Sequence, residues 1–160
     1  MKINNKDKNI VLIGFMGSGK TSVGKRLSLV LKREFIDTDD FIEKREGMTI
    51  NENFLRKKGK KNLEKIEREL YKRFSTPKKK IIATGGGVIK NSANIANLKK
   101  GGVIVYLKSS PEKIAQNLKF DNTRPILQVD DKEAKIRELL AQREPFYNKY
   151  AEITIDVSNY

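Results

Sequence analysis

The sequence predicts an α/β fold in which a parallel sheet carries helices on both faces, making three α/β/α layers. Two observations lead there. Short apolar runs alternate with helical patterns along the whole chain, as parallel strands joined by helical crossovers require. A glycine-rich stretch, Gly14-Phe15-Met16-Gly17-Ser18-Gly19-Lys20-Thr21, stands directly after the first apolar run and before a helical stretch. In order, the runs are Ile10 to Ile13, Phe35-Ile36, Ile81-Ile82-Ala83, Val103 to Leu107 and Ile153 to Val157. Helices are expected over Lys20 to Lys32, Asp39 to Glu46, Ile50 to Lys57, Lys60 to Phe74, Ser92 to Leu98, Pro111 to Leu118 and Asp131 to Tyr147. Leu63, Ile66, Leu70 and Phe74 keep a helical apolar stripe through the fourth of these. Lys119 to Asp130 has a polar start, a Thr-Arg-Pro sequence and no strong periodicity, so it reads as a loop that could close over a ligand. At 160 residues the chain is expected to form one domain over 1–160.

Gly14 to Thr21 fits the pattern G-x-x-x-x-G-K-[ST] at every fixed position. Glycines let the backbone wrap a phosphate chain with its N–H groups pointing inward, and the helix that follows adds a partial positive charge. This predicts a nucleoside triphosphate site built from Gly17, Ser18, Gly19, Lys20, Thr21 and Ser22. Lys20 is expected to reach the β- and γ-phosphates, and Thr21 to offer its hydroxyl to Mg²⁺.

Composition narrows the chemistry. The chain has no cysteine and no histidine, which removes disulfides, thiol nucleophiles, zinc clusters and imidazole-based triads. Carboxylates, Lys, Arg, hydroxyls and an oxygen-held metal remain. No apolar stretch approaches membrane-spanning length and Met1 to Lys6 lacks the apolar core of a secretion signal, so a cytoplasmic protein without a membrane partner is expected. The net charge of +14, from 34 basic and 20 acidic residues, raises nucleic acid as a partner. However, Lys57-Lys58, Lys60-Lys61, Lys78-Lys79-Lys80 and Lys99-Lys100 are scattered and lack interleaved aromatics for base stacking. No nucleic-acid partner is expected; the positive surface would instead help gather anionic ATP.

Phosphoryl transfer needs a metal-phosphate clamp, an oriented acceptor and cations for charge on the transferring group. Asp37-Thr38-Asp39 follows a short strand, so both carboxylates should emerge at the carboxyl edge of the sheet. One could order water round Mg²⁺ while the other holds an acceptor hydroxyl; Asp39 could also simply cap the next helix. Thr84-Gly85-Gly86-Gly87 follows the third run, and three glycines let a ligand approach the backbone. Arg124 lies in the expected lid, in principle able to swing onto the phosphates. Arg143 could offer its planar fork to a substrate carboxylate. Alone, Arg124 or Arg143 would sooner be read as a surface ion-pair residue.

Together, Gly14 to Thr21, Asp37 to Asp39, Thr84 to Gly87, Thr123-Arg124-Pro125-Ile126-Leu127 and Arg143 through Tyr147 resemble the shikimate kinase family, in the right order over nearly the whole chain. The resemblance implies a small P-loop kinase with a five-stranded parallel sheet, a lid (119–130) and a helical acceptor-binding region (39–75). It implies transfer of the γ-phosphoryl of ATP to the 3-hydroxyl of shikimate, in aromatic amino-acid biosynthesis, by a monomer. Carried over, Lys20 and Thr21 serve phosphate and Mg²⁺, Asp37 serves the metal's water shell, and Asp39 holds shikimate hydroxyls and accepts the proton. Gly85, Gly86 and Gly87 line the shikimate pocket, Arg124 is the lid arginine and Arg143 binds the carboxylate. Ile50, Phe54 and Pro125 match apolar pocket positions.

The chain departs from the family pattern at three places. Leu63-Glu64-Lys65-Ile66-Glu67 keeps the later Glu of a helix motif but puts Glu64 where the family has a carboxylate-binding arginine. Weak shikimate binding is the direct expectation, unless Arg143 suffices or Lys60, Lys61 or Lys65 supplies a charge. Two alternatives therefore stand beside shikimate: a different acceptor, or an ATP-binding variant blind to it. Asn117 stands where many relatives carry an adenine-packing arginine, and the chain stops at Tyr160, before the family's final helix.

Overall fold

Five parallel strands form one sheet among the described residues: β1 (Asn9–Ile13), β2 (Phe35–Asp37), β3 (Ile81–Ala83), β4 (Gly102–Lys108) and β5 (Ile153–Asp156), in the order β2-β3-β1-β4-β5. The structure is a computed structural model and describes residues 5–50, 59–119 and 130–159. The connecting helices are α1 (Lys20–Leu31), α2 (Thr38–Glu46), α3 (Lys60–Arg73), α4 (Ser92–Gly101), α5 (Pro111–Asn117) and α6 (Lys132–Tyr150), with a 3₁₀ turn at Val88–Lys90. β1 lies between β3 and β4, so the chain winds away from it in both directions. The crevice beyond its carboxyl end is where such sheets take ligands.

The period-two alternation of the strands sorts their apolar residues onto two faces. Val11, Ile13, Ile82, Ile104 and Tyr106 join Ile42, Leu70, Tyr71, Phe74, Ile95 and Leu98 in one core. Leu12, Ile81, Val105 and Leu107 face the other way, against Val23 and Leu27 of α1. A third cluster joins Phe15 to α5 and α6 through Ile114, Leu118, Ile136, Leu139 and Leu140.

Expected and observed strands agree within about two residues, as boundaries usually do. Two helices run further than their patterns suggested. α4 continues past Leu98 to Gly101, and α6, which contains Pro145 as expected, continues past Tyr147 to Tyr150. A proline inside a helix costs about 3 kcal/mol or more. Here the helix persists because Tyr147, fully buried, stacks on Tyr106 of β4 at 4.8 Å between ring centroids, and Tyr150 packs on the same core. The helix expected over Ile50 to Lys57 and the loop over Lys119 to Asp130 lie largely outside the described residues.

Candidate nucleotide and acceptor site

The glycine loop leaves β1 at the crevice and ends at Gly19, which caps α1 in the left-handed region (φ 94°) without any side-chain cap bond. The first amides of α1 are thus not occupied by a capping side chain, the arrangement that suits an anion. Gly17 has φ +78°, and a Cβ there would stand 2.7 Å from Leu118 Cγ, so only glycine fits. Asn117 Nδ2 donates to the Gly17 carbonyl at 2.8 Å. Asn117, at the position where the family resemblance anticipates an adenine-packing arginine, therefore holds the glycine loop itself. Lys20 Nζ donates to the Gly14 carbonyl, so its ammonium lies over the loop it is expected to serve. Ser18 is buried inside the loop, and Ser22 is exposed in the first turn of α1.

Thr21 Oγ1 donates to Asp37 Oδ2 at 2.9 Å, joining the two residues expected near a metal. Asp37 also caps α2, its Oδ1 accepting from Asp40 N at 3.1 Å. The helix cap is thus Asp37 and not Asp39, and the physical reason is position: α2 begins at Thr38, so Asp39 is already in its first turn. The residue between them is a structural link. Thr38 is buried; its hydroxyl accepts from Gly85 N at 3.2 Å and meets the Tyr71 hydroxyl of α3 at 3.4 Å. This ties the acidic turn, the glycine run and α3 together. Asp39 then lies directly over the glycines: a Cβ on Gly85 would stand 2.5 Å from Asp39 Oδ1.

A cavity of about 500 Å³ opens beside this junction, lined by Asp39, Ile50, Leu63, Glu64, Glu67, Gly85 to Gly87, Lys60, Lys90 and the start of α4. Its wall is electrically mixed. Burial, and then the negative charges of Asp39 and Glu64, push the Glu67 carboxyl from its ordinary value of 4.5 up to about 7, against the opposing pull of Lys90. Burial lowers the Lys90 ammonium, helped by the positive charges of Arg143 and Lys60 and opposed by Glu67 and Glu64.

Arg143 reaches the same region from α6. Its guanidinium stands over the Phe15 ring at 5.3 Å, and a Cβ on Gly86 would come within 3.4 Å of its Nη1. That Nη1 is buried and has no hydrogen-bond partner among the described residues. Arg143 and Lys90 also line a second cavity of about 460 Å³, with Leu139, Gln142 and Phe146.

Lys20, Thr21 and Asp37 thus gather on one side of the crevice and Asp39, Gly85 to Gly87 and Arg143 on the other. Arg124, Phe54 and Pro125 lie outside the described residues. Sequence reasoning missed Thr38, Tyr71, Lys90 and the Phe15 face. Thr38 could have been suspected from its place between two aspartates; Lys90 carried no signal beyond following the glycines by three positions. Among the described residues no three metal-ligating side chains converge. A hard cation here would rest mainly on phosphate oxygens and water, which the oxygen pair Thr21 and Asp37 fits.

Comparison with known proteins gives a consistent result. The family described as Shikimate kinase matches residues 16–160. The shikimate kinase of Caldanaerobacter subterraneus subsp. tengcongensis is 50% identical over 152 residues, 95% of this chain and 88% of the relative. That of Thermodesulfovibrio yellowstonii is 48% identical over 149 residues, 93% of this chain and 85% of the relative. A solved shikimate kinase from Acinetobacter baumannii, in complex with shikimate, superposes with a TM-score of 0.89 at 38% identity, covering 98% of this chain and 87% of that one.

Proposed function

The chain belongs to the shikimate kinase family, and from that premise we propose that it transfers the γ-phosphoryl group of ATP to the 3-hydroxyl of shikimate, giving shikimate 3-phosphate and ADP. The observation that supports this most is the junction at Thr38. One buried hydroxyl fixes Asp39 beside the acceptor cavity while its neighbour Asp37 is bonded to Thr21 of the phosphate loop. Nucleotide and acceptor groups are thereby held on either side of one short turn, which is the proximity a direct transfer needs.

In the reaction, loop amides and Lys20 bind the β- and γ-phosphates, and Thr21 with Asp37 would hold Mg²⁺. When bound, Mg²⁺ supplies neutralisation of phosphate charge. The 3-oxygen forms a bond to the γ-phosphorus, the bond from that phosphorus to the bridging oxygen breaks, and the hydroxyl proton passes to the Asp39 carboxylate. Gly85 to Gly87 let the acceptor ring lie close to the backbone, Arg143 binds its carboxylate and Arg124 stabilises charge on the transferring group. On this reading the chain acts as a cytoplasmic monomer on small molecules, without nucleic-acid or membrane partners. No helix among the described residues is long and apolar enough to cross a membrane.

The test is ADP release from MgATP over a wide range of shikimate concentration. Saturable shikimate-dependent release is expected, and Lys20→Ala should lower it by about a thousandfold or more with the thermal unfolding profile intact. Near-normal turnover in that variant would sink the phosphate-loop assignment; ATP binding with no response to shikimate would sink the acceptor.

A further inference from the structure

The acceptor cavity presents a charge problem. Asp39, Glu64 and Glu67 all line it, so an anionic acceptor enters a wall with three carboxyl groups. Glu64 moreover occupies the α3 position at which the family resemblance anticipates a carboxylate-binding arginine. Arg143 can fork onto the two carboxylate oxygens but supplies a single positive charge against these three carboxyl groups.

The candidates on α3 do not supply the second. Lys61 and Lys65 are absent from the cavity lining, although both were expected to be able to substitute. Lys60 lines the cavity but not the neighbouring space that Arg143 borders. Lys90 lines both. Its backbone is fixed: Val88 N donates to Gly85 O at 3.2 Å, Lys90 N donates to Gly87 O at 3.1 Å, and Val88 and Ile89 are buried. The side chain therefore leaves a rigid turn directly after the glycine floor. It is exposed, and among the described residues it takes part in no ion pair. Gly86 lies four residues before Lys90, and a Cβ on it would come within 3.4 Å of Arg143 Nη1, so a ligand group above that glycine has Arg143 beside it and the Lys90 turn directly after it.

We propose that Lys90 is the second cation for the acceptor's carboxylate, acting with Arg143 across the Gly86 floor in place of a cation on α3. The inference rests on the shikimate kinase reading and names how this chain completes the acceptor site.

Steady-state kinetics of the full chain with shikimate and with its methyl ester test this. Lys90→Met should raise KM for shikimate roughly ten- to a hundredfold, as loss of a charge-assisted bond does, with kcat and KM for ATP near wild type. For the ester, which lacks the charge, wild type and variant should have the same KM. Lys90→Arg should restore most of the affinity for shikimate. An unchanged KM for shikimate in Lys90→Met, or an equal rise for acid and ester, would overturn the proposal. The wild-type assay keeps the two failures apart: absence of any shikimate-dependent turnover there overturns the functional reading before a variant is compared. Labelled-nucleotide binding to Lys90→Met reports that the variant is folded, as its exposure leads one to expect.

Discussion

Glu67 is a side chain whose charge state the fold alters in the range where an enzyme works. Its carboxyl is raised to about 7, by burial first and by Asp39 of α2 and Glu64 of its own helix next, while Lys90 from the 3₁₀ turn opposes. Tyr71, one turn further along α3, also faces it, and its hydroxyl is itself pushed up, by burial and then by Glu67. Between the ordinary carboxylate value of 4.5 and about 7, the folded chain keeps a proton that the unfolded chain has released. The folded state therefore binds more protons, and stability must fall as pH rises through that window, with the full cost present above it. At about 1.4 kcal/mol per unit the cost is bounded by roughly 3 to 4 kcal/mol. Urea midpoints measured from about pH 5 to 8 should decline for the wild type and flatten for Glu67→Gln. KM for shikimate should rise as pH passes through about 7, where the folded chain releases the Glu67 proton and so adds a negative charge to the cavity proposed to receive a carboxylate. An identical slope in Glu67→Gln would mean that another group titrates.

At the scale of elements, the buried polar residue at the start of β1 has no counterpart in the apolar pattern that predicted the strand. Asn9 is completely buried; its Oδ1 accepts from Lys78 N at 3.0 Å and Lys80 N at 2.9 Å, and its Nδ2 donates to Phe74 O at 3.5 Å and Thr76 O at 3.3 Å. One side chain thus fastens the entire α3 to β3 connection to the central strand. Asn9→Ala leaves two amides and two carbonyls in search of partners, and should cost about 2–4 kcal/mol of stability, read as a lower urea midpoint at unchanged slope. A change within about 0.5 kcal/mol would mean that water replaces the amide without loss. Elements of this chain were legible where one physical signal dominates: continuous apolar runs gave the strands, and the stripe from Leu63 to Phe74 gave α3. They were less legible where tertiary contact decides, as where the packing of Tyr150 on the core carries α6 beyond Tyr147.

For the whole molecule, the proposed nucleotide half of the site is legible in the sequence because a phosphate loop is contiguous there, and backbone geometry dictates its glycines. The acceptor half is assembled from α2, α3, the glycine run, the 3₁₀ turn and α6, so its electrostatics belong to the fold and not to any one segment. Lys90 and the raised Glu67 illustrate this, since neither differs in sequence from an ordinary surface charge. The same separation of scales applies to the net charge of +14. Part of the positive surface is locally neutralised: Lys44 pairs with Asp40, Lys79 with Asp7, Lys80 with Glu34, Lys108 with Glu144 and Arg137 with Glu112 and Glu133. The remaining excess is long-range in character and should steer an anionic nucleotide toward the protein without contributing to the chemical step. With screening lengths of about 10 Å at 0.1 M salt and 3 Å at 1 M, raising NaCl across that range should lower kcat/KM for ATP by roughly three- to tenfold while kcat changes little. A parallel fall in kcat would instead indicate salt acting on the bound phosphates. A flat kcat/KM would mean that the surface pairs cancel the field before it reaches the crevice.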